Sequence, residues 1–132
     1  MDTIPVQTHE RNQFVNITSL VRESLDRGRI REGFGIVYCP HTTAAITINE
    51  AFDPDVVHDM LLWLERQVPH KQAGFRHGEG NSDSHIKASL LGSSATVLVA
   101  GGELVLGQWQ GVFFCEFDGP RRRNVQIQWL GN

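Results

Sequence analysis

The 132-residue sequence has few cysteines, no excess of basic residues and no apolar run near the roughly 20 residues that span a bilayer. We therefore expect no membrane-spanning segment. Twelve Lys and Arg against fifteen Asp and Glu give a net charge of −3, which lacks the broad positive field of nucleic-acid-binding proteins. Cys39 and Cys115 lie in apolar runs, and nothing resembling a signal peptide precedes them, so we expect buried free thiols in a reducing cytoplasm.

The remaining composition is that of an ordinary globular chain. Hydrophobic residues make up 40% of the sequence, and no Pro-, Gly- or Ser-rich linker divides it. These features predict a single domain over residues 1–132 with one modest core.

Capping residues and apolar periodicity predict three helices. The signal is best in DPDVVHDMLLWLERQVP, where Asp53 is a good N-cap and Pro54 fits the first helical position. The predicted helices run from Thr18 or Ser19 to Gly28, from Pro54 to Pro69, and from Ser84 to Leu91 with Asp83 as N-cap and Gly92 after the end.

Alternating apolar residues predict several strands. GFGIVYC is typical of a buried strand, and AAITIN is predicted to place Ile46 and Ile48 on one face. ATVLVA and ELVLG flank Gly101-Gly102, which indicates a tight hairpin, and VFFCEF and NVQIQWL flank DGPRRR, which indicates a longer one. Because the late strands are expected to pair antiparallel, the fold class is α+β.

The segment RHGEGNSDSH, residues 76–85, concentrates metal- and phosphate-binding residue types in one loop. Imidazole nitrogens suit zinc and related metals, whereas carboxylate and amide oxygens suit magnesium, calcium or manganese. His77 and His85 lie eight residues apart across a glycine-containing loop, which allows both rings to face one point. The competing interpretation is that Asp83 caps a helix, the glycines form turns and the histidines are solvated.

Two further clusters contain candidate functional residues. His41 directly follows a predicted buried strand, a position that commonly carries site residues. Glu116 interrupts an apolar strand, where an inward carboxylate is costly unless it is paired or binds a cation; the solvent face of an edge strand is the alternative. Arg121, Arg122 and Arg123 could grip a phosphate, form an intersubunit salt bridge or lie in a solvated turn. Trp109 and the neighbouring phenylalanines are predicted to lie in the core or in a subunit interface.

Together, PHTTAAITINE, DPDVVHDM, HGEGNSDSHIKASLLG and GQWQGVFFCEFDGPRRR resemble the YjbQ family, often named secondary thiamine-phosphate synthase. The resemblance extends over nearly the whole chain. It implies an α+β subunit with a large mixed, mostly antiparallel β-sheet and two or three helices, assembled as a homotrimer with sites near subunit boundaries.

The resemblance also implies a site. It implies that His41, His77 and His85 bind a divalent metal ion, with zinc, manganese or magnesium as candidates. The positions that it implies around this metal are Asn49, Glu50, Glu79, Lys87, Gln110 and Glu116. We expect catalytic roles for Glu79, Glu116 and Lys87 and ligand binding by Asn49, Gln110, Arg121 and Arg122.

Three functions follow as expectations. The first is the reaction of a thiamine-phosphate synthase. In it, a pyrimidine methyl diphosphate loses diphosphate, and the nitrogen of a thiazole phosphate captures the pyrimidine and its methylene carbon. The second is a metal-dependent hydrolase of a phosphorylated small molecule, with Glu79 or Glu116 as the proton shuttle. The third is a trimer that binds a metal or an anion without turnover. Neither nucleic acid nor membrane is expected as a partner.

Overall fold

The computed structural model describes residues 1–132 as three helices and eight strands. This mixture confirms the α+β class and the predicted number of helices. None of the helices has the length and hydropathy needed to cross a membrane. In chain order the elements are β1 (Asp2–Gln7), β2 (Gln13–Asn16), α1 (Thr18–Gly28), β3 (Gly33–Tyr38), β4 (Ala44–Glu50), α2 (Pro54–Gln67), α3 (Ser82–Leu91), β5 (Ser94–Ala100), β6 (Glu103–Val105), β7 (Gln110–Glu116) and β8 (Arg122–Gly131).

The strands form two sheets rather than one large sheet. A five-stranded sheet has the order β1-β8-β3-β5-β6, and a three-stranded sheet has the order β2-β7-β4. Every pairing is antiparallel, which confirms the expected strand direction. The predicted long hairpin around DGPRRR is wrong, because β2 and β4 occupy both edges of β7 and β8 pairs with β1 and β3 instead. The connection between β7 and β8 therefore carries the chain from one sheet to the other.

The predicted tight hairpin at Gly101-Gly102 is confirmed. It joins β5 to β6, with Ala100 opposite Glu103. Gly101 has a φ of 59° and Gly102 a φ of 78°, and two successive positive φ angles are what a two-residue type I′ turn requires.

The core has two layers, one on each face of the three-stranded sheet. Phe114 and Ile46 point toward the five-stranded sheet and pack with Val37 and Ile127. Phe113 belongs to the other layer, under α2 and α3. Successive residues of β7 thus face opposite layers, as the strand period of two requires, so both faces of the strand are buried.

The helix ends agree in part with the predictions. Asp53 caps α2 by accepting a hydrogen bond from the Asp55 backbone N–H at 2.9 Å, with Pro54 in the first turn, as predicted. α3 begins at Ser82, earlier than predicted, and Asn81 takes the N-cap position. Asp83 is not the cap: it lies inside the first turn, fully buried, and pairs with Arg11.

β3 is only half-buried, although its sequence predicted a buried strand. Val37 faces the core, but Phe34, Ile36 and Tyr38 are 38%, 37% and 42% exposed. Leu98 on β5 lies opposite Phe34 and is exposed as well. The five-stranded sheet therefore presents an apolar outer surface, which we call the β3 face.

Candidate functional site

A polar cavity of about 510 Å³ brings together two of the three predicted histidines. His41 reaches it from the connection between β3 and β4, and His85 reaches it from the first turn of α3. The volume is in the range of small-molecule sites, roughly 300–1,000 Å³. The lining residues of this histidine cavity are His41, Thr42, Ala44, His85, Ala88, Ser89, Gly92 and Ser93.

The third predicted histidine lies beside the second. The rings of His77 and His85 are edge to face with their centroids 5.5 Å apart. Glu79 follows in the same loop, and its Oε2 lies 3.8 Å from the Nε2 of His77. The His77 side chain is 44% exposed and the Glu79 side chain 76% exposed, so solvent reaches both groups.

His41 is held by a backbone hydrogen bond that fixes its tautomer. The Asn124 N–H donates to the Nε2 of His41 at 3.0 Å, and the ring lies edge-on to Phe114. Burial, together with the nearby Arg123 guanidinium, lowers the pKa of His41, so the ring is neutral at pH 7. A neutral ring that accepts at Nε2 carries its proton at Nδ1. His41 therefore offers an N–H donor, which suits an anionic oxygen rather than a metal ion.

The donors in one chain do not form a three-ligand metal centre. No group of three or more His, Cys, Asp or Glu side chains is placed to hold a metal ion. His41 presents an N–H, which leaves His77 and His85 as the paired imidazoles in this region. A metal bound by these two residues would need further ligands from the bound molecule, from solvent or from another subunit.

Asn81 adds a buried polar atom next to the loop of His77 and Glu79. Its Nδ2 donates to Asp118 at 2.8 Å, whereas its Oδ1 is buried without a hydrogen-bond partner. Leaving a buried acceptor unpaired costs about 1–3 kcal/mol. Arg121 also binds Asp118, through Nη2 and Nε, and its Nη1 makes no hydrogen bond. Asp118 thus links the start of α3 to the β7–β8 connection. The Oδ1 of Asn81 and the Nη1 of Arg121 are left without hydrogen-bond partners.

Glu116 is fully buried and fully paired. Arg123 donates to it through two nitrogens, with Nε at 2.8 Å, and Thr8 and the N–H groups of Phe117 and Asp118 also donate. Burial raises the pKa of Glu116, but these hydrogen bonds and the Arg123 charge outweigh it and keep the pKa below its usual value. Glu116 is not on an edge strand, since β7 is the middle strand of its sheet. Its geometry is that of a structural ion pair, without a lone pair facing the cavity.

Lys87 does not face the histidine cavity. It follows His85 by two positions, which places it about 200° further around α3. Its ammonium is buried and donates to Asn12 at 3.2 Å and to Asp83 at 3.3 Å. The expected catalytic contact between Lys87 and a molecule in the histidine cavity is therefore not possible within one chain.

Asn49, Glu50 and Gln110 lie at the far end of the three-stranded sheet. Ala44 lines the histidine cavity at the start of β4, and Asn49 is five residues further along, about 17 Å away. Gln110 pairs with Glu50 and accepts from the Gly107 N–H at 2.7 Å. Within one chain these three residues do not surround the cavity, contrary to the expectation.

Two further residues of the segment GQWQGVFFCEFDGPRRR, Trp109 and Arg122, are exposed. Arg122 starts β8 and makes no side-chain hydrogen bond. Trp109 is half-exposed rather than in the core and packs against Phe52, with ring centroids 5.0 Å apart. Arg123, by contrast, is buried, which the sequence left open.

Sequence reasoning missed one buried charge network. Arg11 makes a bidentate pair with Asp83 at 2.9 and 3.0 Å, and Lys87 shares the same carboxylate. The carboxylate lies 72 residues from Arg11 in the chain. The only local signal was the i, i+4 spacing of Asp83 and Lys87 on one helix.

The fold and the cavity define a two-sheet α+β protein with a histidine-lined pocket at the start of a short helix. The sequence profile described as "UPF0047 protein YjbQ-like" matches residues 2–132, and the chain belongs to this family. UPF0047 protein YugU of Bacillus subtilis is 45% identical over 131 residues, covering 99% of both chains. UPF0047 protein MJ1081 of Methanocaldococcus jannaschii is 45% identical over 127 residues, covering 96% of this chain and 91% of the relative.

Solved structures of relatives have the same fold. A conserved protein of the YjbQ/UPF0047 family from Clostridium acetobutylicum superposes with a TM-score of 0.96 at 45% identity, covering 98% of this chain and 100% of that one. A conserved hypothetical protein from Thermus thermophilus gives a TM-score of 0.92 at 39% identity, with 98% and 100% covered.

Proposed function

We propose that the chain is an enzyme that acts on a phosphorylated small molecule in the histidine cavity. The observation that carries this proposal is the gathering of His41 and His85 in one cavity, with the His77 ring 5.5 Å from His85. The first reaction to test is that of a thiamine-phosphate synthase. In it, the thiazole nitrogen donates its electron pair to the pyrimidine methylene carbon, and the C–O bond breaks as diphosphate leaves with the bonding pair.

His41 and Arg121 are suited to hold the phosphate. His41 donates from Nδ1 and is neutral, so it positions an oxygen without adding charge. Arg121 does not line the cavity, but it is exposed and its Nη1 is free, so its side chain would turn toward a bound phosphate. Hydrogen bonds from a cationic donor to phosphate are about twice as strong as neutral ones. Together, His41 and Arg121 would stabilise the negative charge that develops on the leaving diphosphate.

His77, His85 and Glu79 are suited to proton handling. The carboxylate of Glu79 lies 3.8 Å from the Nε2 of His77, longer than a hydrogen bond, and His77 in turn neighbours His85. A proton held on either ring can be given to a phosphate oxygen. A zinc, manganese or magnesium ion, when bound at these two histidines, would supply additional positive charge against the diphosphate.

The test is product formation from the pyrimidine methyl diphosphate and the thiazole phosphate. We expect wild type to form thiamine phosphate and His85→Ala to lose at least about a hundredfold in kcat/KM. His58→Ala is the matched control, because His58 is an exposed histidine on α2 whose side chain hydrogen-bonds to Asp59. Equal rates for wild type and His85→Ala, or equal losses in both variants, would rule out the proposed site.

Hydrolysis of a phosphorylated small molecule is the second candidate. It is favoured by the solvent-exposed Glu79–His77 pair, which can take a proton from water. Phosphate release measured with the same variants separates this reaction from transfer. A protein that only binds its ligand would keep its ligand affinity in Glu79→Gln and show no turnover, whereas either enzyme loses rate in that variant.

We also propose that the chain assembles as a homotrimer through the β3 face. Phe34, Ile36, Tyr38 and Leu98 expose apolar surface on one sheet, and contiguous apolar patches of this kind mark protein–protein contacts. A trimer would also allow Asn49 and Gln110 of one subunit to approach the histidine cavity of another. Analytical ultracentrifugation tests this: wild type should sediment as a trimer and Ile36→Lys as a smaller species.

We propose that the protein is cytoplasmic. Cys39 and Cys115 support this location, because both are free thiols buried in the core. Fractionation of cells with an antibody against the chain tests it, and recovery outside the cytoplasmic fraction would contradict it.

A further inference from the structure

A second polar cavity lies on the side of α3 opposite the histidine cavity. It has a volume of about 480 Å³ and is bordered by the loop between β1 and β2, the C-terminal half of α2 and the buried Lys87. Its polar lining consists of Arg11, Asn12, Glu65, Arg66, His70 and Lys87. We call it the Arg66 pocket. None of the proposed steps in the histidine cavity uses these residues.

Three cationic side chains bring unused hydrogen-bond donors to this pocket. Lys87 has three ammonium protons but only two acceptors, Asn12 and Asp83, both at more than 3 Å. Arg11 uses its two terminal nitrogens on Asp83 and leaves Nε free. Arg66 makes no side-chain hydrogen bond and no ion pair, although it lines the same cavity.

The local charge balance leaves room for an anion. Three cations line the pocket, and Asp83 lies behind Arg11 and Lys87 as their shared buried partner. Two other carboxylates lie near Arg11: Asp118, which is paired with Arg121, and Glu65, which is exposed and makes no salt bridge. Because Arg121 neutralises Asp118, the cations of the pocket outnumber its carboxylates by one before a ligand binds. Lys87 is 1% exposed, and its ammonium has two hydrogen-bond acceptors and lies 5.9 Å from the centroid of the Phe117 ring, so an anion in the pocket would add a third acceptor.

We propose that the Arg66 pocket binds the phosphoryl group of a small molecule. Arginine forks match the geometry of phosphate oxygens, and a lysine ammonium adds a compact charge at the back of the site. The pocket is large enough for a phosphate together with the group that carries it. This binding claim stands on the pocket alone and does not depend on the reaction proposed for the histidine cavity.

A direct link connects the Arg66 pocket to the loop of the histidine cavity. His70 lines the pocket, and its Nε2 donates to the carbonyl oxygen of Gly80 at 2.9 Å. Gly80 follows Glu79, and His77 lies three residues before it. A ligand that fixes His70 and Arg66 therefore steadies the loop that carries His77 and Glu79. We infer that occupancy of the pocket orders this loop.

The experiment is calorimetric titration of the full-length chain with inorganic phosphate and with pyrophosphate. Wild type should bind, Arg66→Gln should bind about tenfold more weakly at the Arg66 pocket because it loses one charge-assisted contact, and Arg66→Glu should lose this binding event while any binding that depends on His85 persists. Arg66 is exposed and makes no side-chain hydrogen bond or ion pair, so both variants should fold. Arg22→Gln is the matched control: Arg22 is an exposed arginine on α1, outside this cavity, and its removal should leave the affinity unchanged.

His85→Ala separates the two cavities. It should retain phosphate binding if the Arg66 pocket is the site, whereas binding that disappears entirely in His85→Ala and persists undiminished in Arg66→Glu would overturn the proposal. Absence of binding to wild type at millimolar concentrations of either probe would also overturn it. Hydrogen exchange tests the link: phosphate should slow exchange in residues 72–80 of wild type but not of Arg66→Glu, and unchanged exchange in wild type would refute the ordering of the loop. Turnover in the histidine cavity is measured separately, so the two proposals can fail independently.

Discussion

Replacing Arg123 by methionine tests whether the buried Glu116 pair holds the two sheets together. The variant keeps most of the side-chain volume but leaves a fully buried carboxylate with only Thr8 and two backbone N–H groups as donors. Breaking a buried pair by removing one partner costs about 3–5 kcal/mol, because the remaining charge is uncompensated. We expect Arg123→Met to lose this much free energy of unfolding at neutral pH.

Urea unfolding, followed by the fluorescence of the three tryptophans at fixed protein concentration, measures this loss. Arg122→Met is the matched control: the neighbouring arginine is exposed and unpaired, so its loss should stay within about 0.5 kcal/mol. The double variant Glu116→Gln with Arg123→Met removes both charges. Its loss should be smaller than the sum of the single losses by about 1–3 kcal/mol.

The pH dependence gives a second measurement of the same pair. The folded pKa of Glu116 lies below its usual value of 4.5, so the pair stabilises fully above that value and loses its effect as the pH falls through the folded pKa. The difference between wild type and Arg123→Met should therefore be largest near neutral pH and shrink in acid. A loss in Arg123→Met of less than about 1 kcal/mol, or an equal loss in Arg122→Met, would refute the reasoning.

Three further predictions concern single positions. Asp53→Ala removes the α2 cap and should cost about 1 kcal/mol in urea unfolding; no change in the midpoint would contradict the capping role. Gly35→Ala would place a Cβ 2.4 Å from the Trp129 ring and should cost about 1–3 kcal/mol, with an unchanged midpoint as the contrary result. Because the folded pKa of His41 is lowered, the unfolded state takes up a proton first and stability falls as the pH drops below the usual value of 6.5. NMR titration of His41 and a flatter stability profile in His41→Gln check this, and an unshifted titration would refute it.

Local signals in the sequence predicted those parts of the fold that chain neighbours decide. The Asp53-Pro54 cap, the Gly101-Gly102 turn and the shared face of Ile46 and Ile48 all depend on backbone conformation and strand period within a few residues. Alternation does not reveal which sheet a strand joins, however. The pairing of β7 and β8 was therefore predicted wrongly, since both strands are apolar and adjacent in the chain.

Only part of the candidate site could be predicted from the sequence. The ligand-type residues of the 76–85 segment drew attention to His85, which lines a cavity together with His41, although no other residue of the segment lines it. Helical periodicity also argued against placing Lys87 in the same site as His85, as the resemblance implied. The two residues are two positions apart and cannot share a face of a helix. The pairing of Arg11 with Asp83 could not be predicted, because charges distant in the chain meet only through tertiary packing.

The position of β8 in its sheet has a consequence for how the molecule is made. This strand is the latest in chain order, yet it lies between β1 and β3, both of which are synthesised long before it. On the ribosome, β1 and β3 are made before their shared neighbour, so the backbone N–H and C=O groups that later pair with β8 are open to other partners. The five-stranded sheet therefore cannot form completely before residue 131 has been synthesised. We expect a nascent chain that stops earlier to bind chaperones through these unpaired strands.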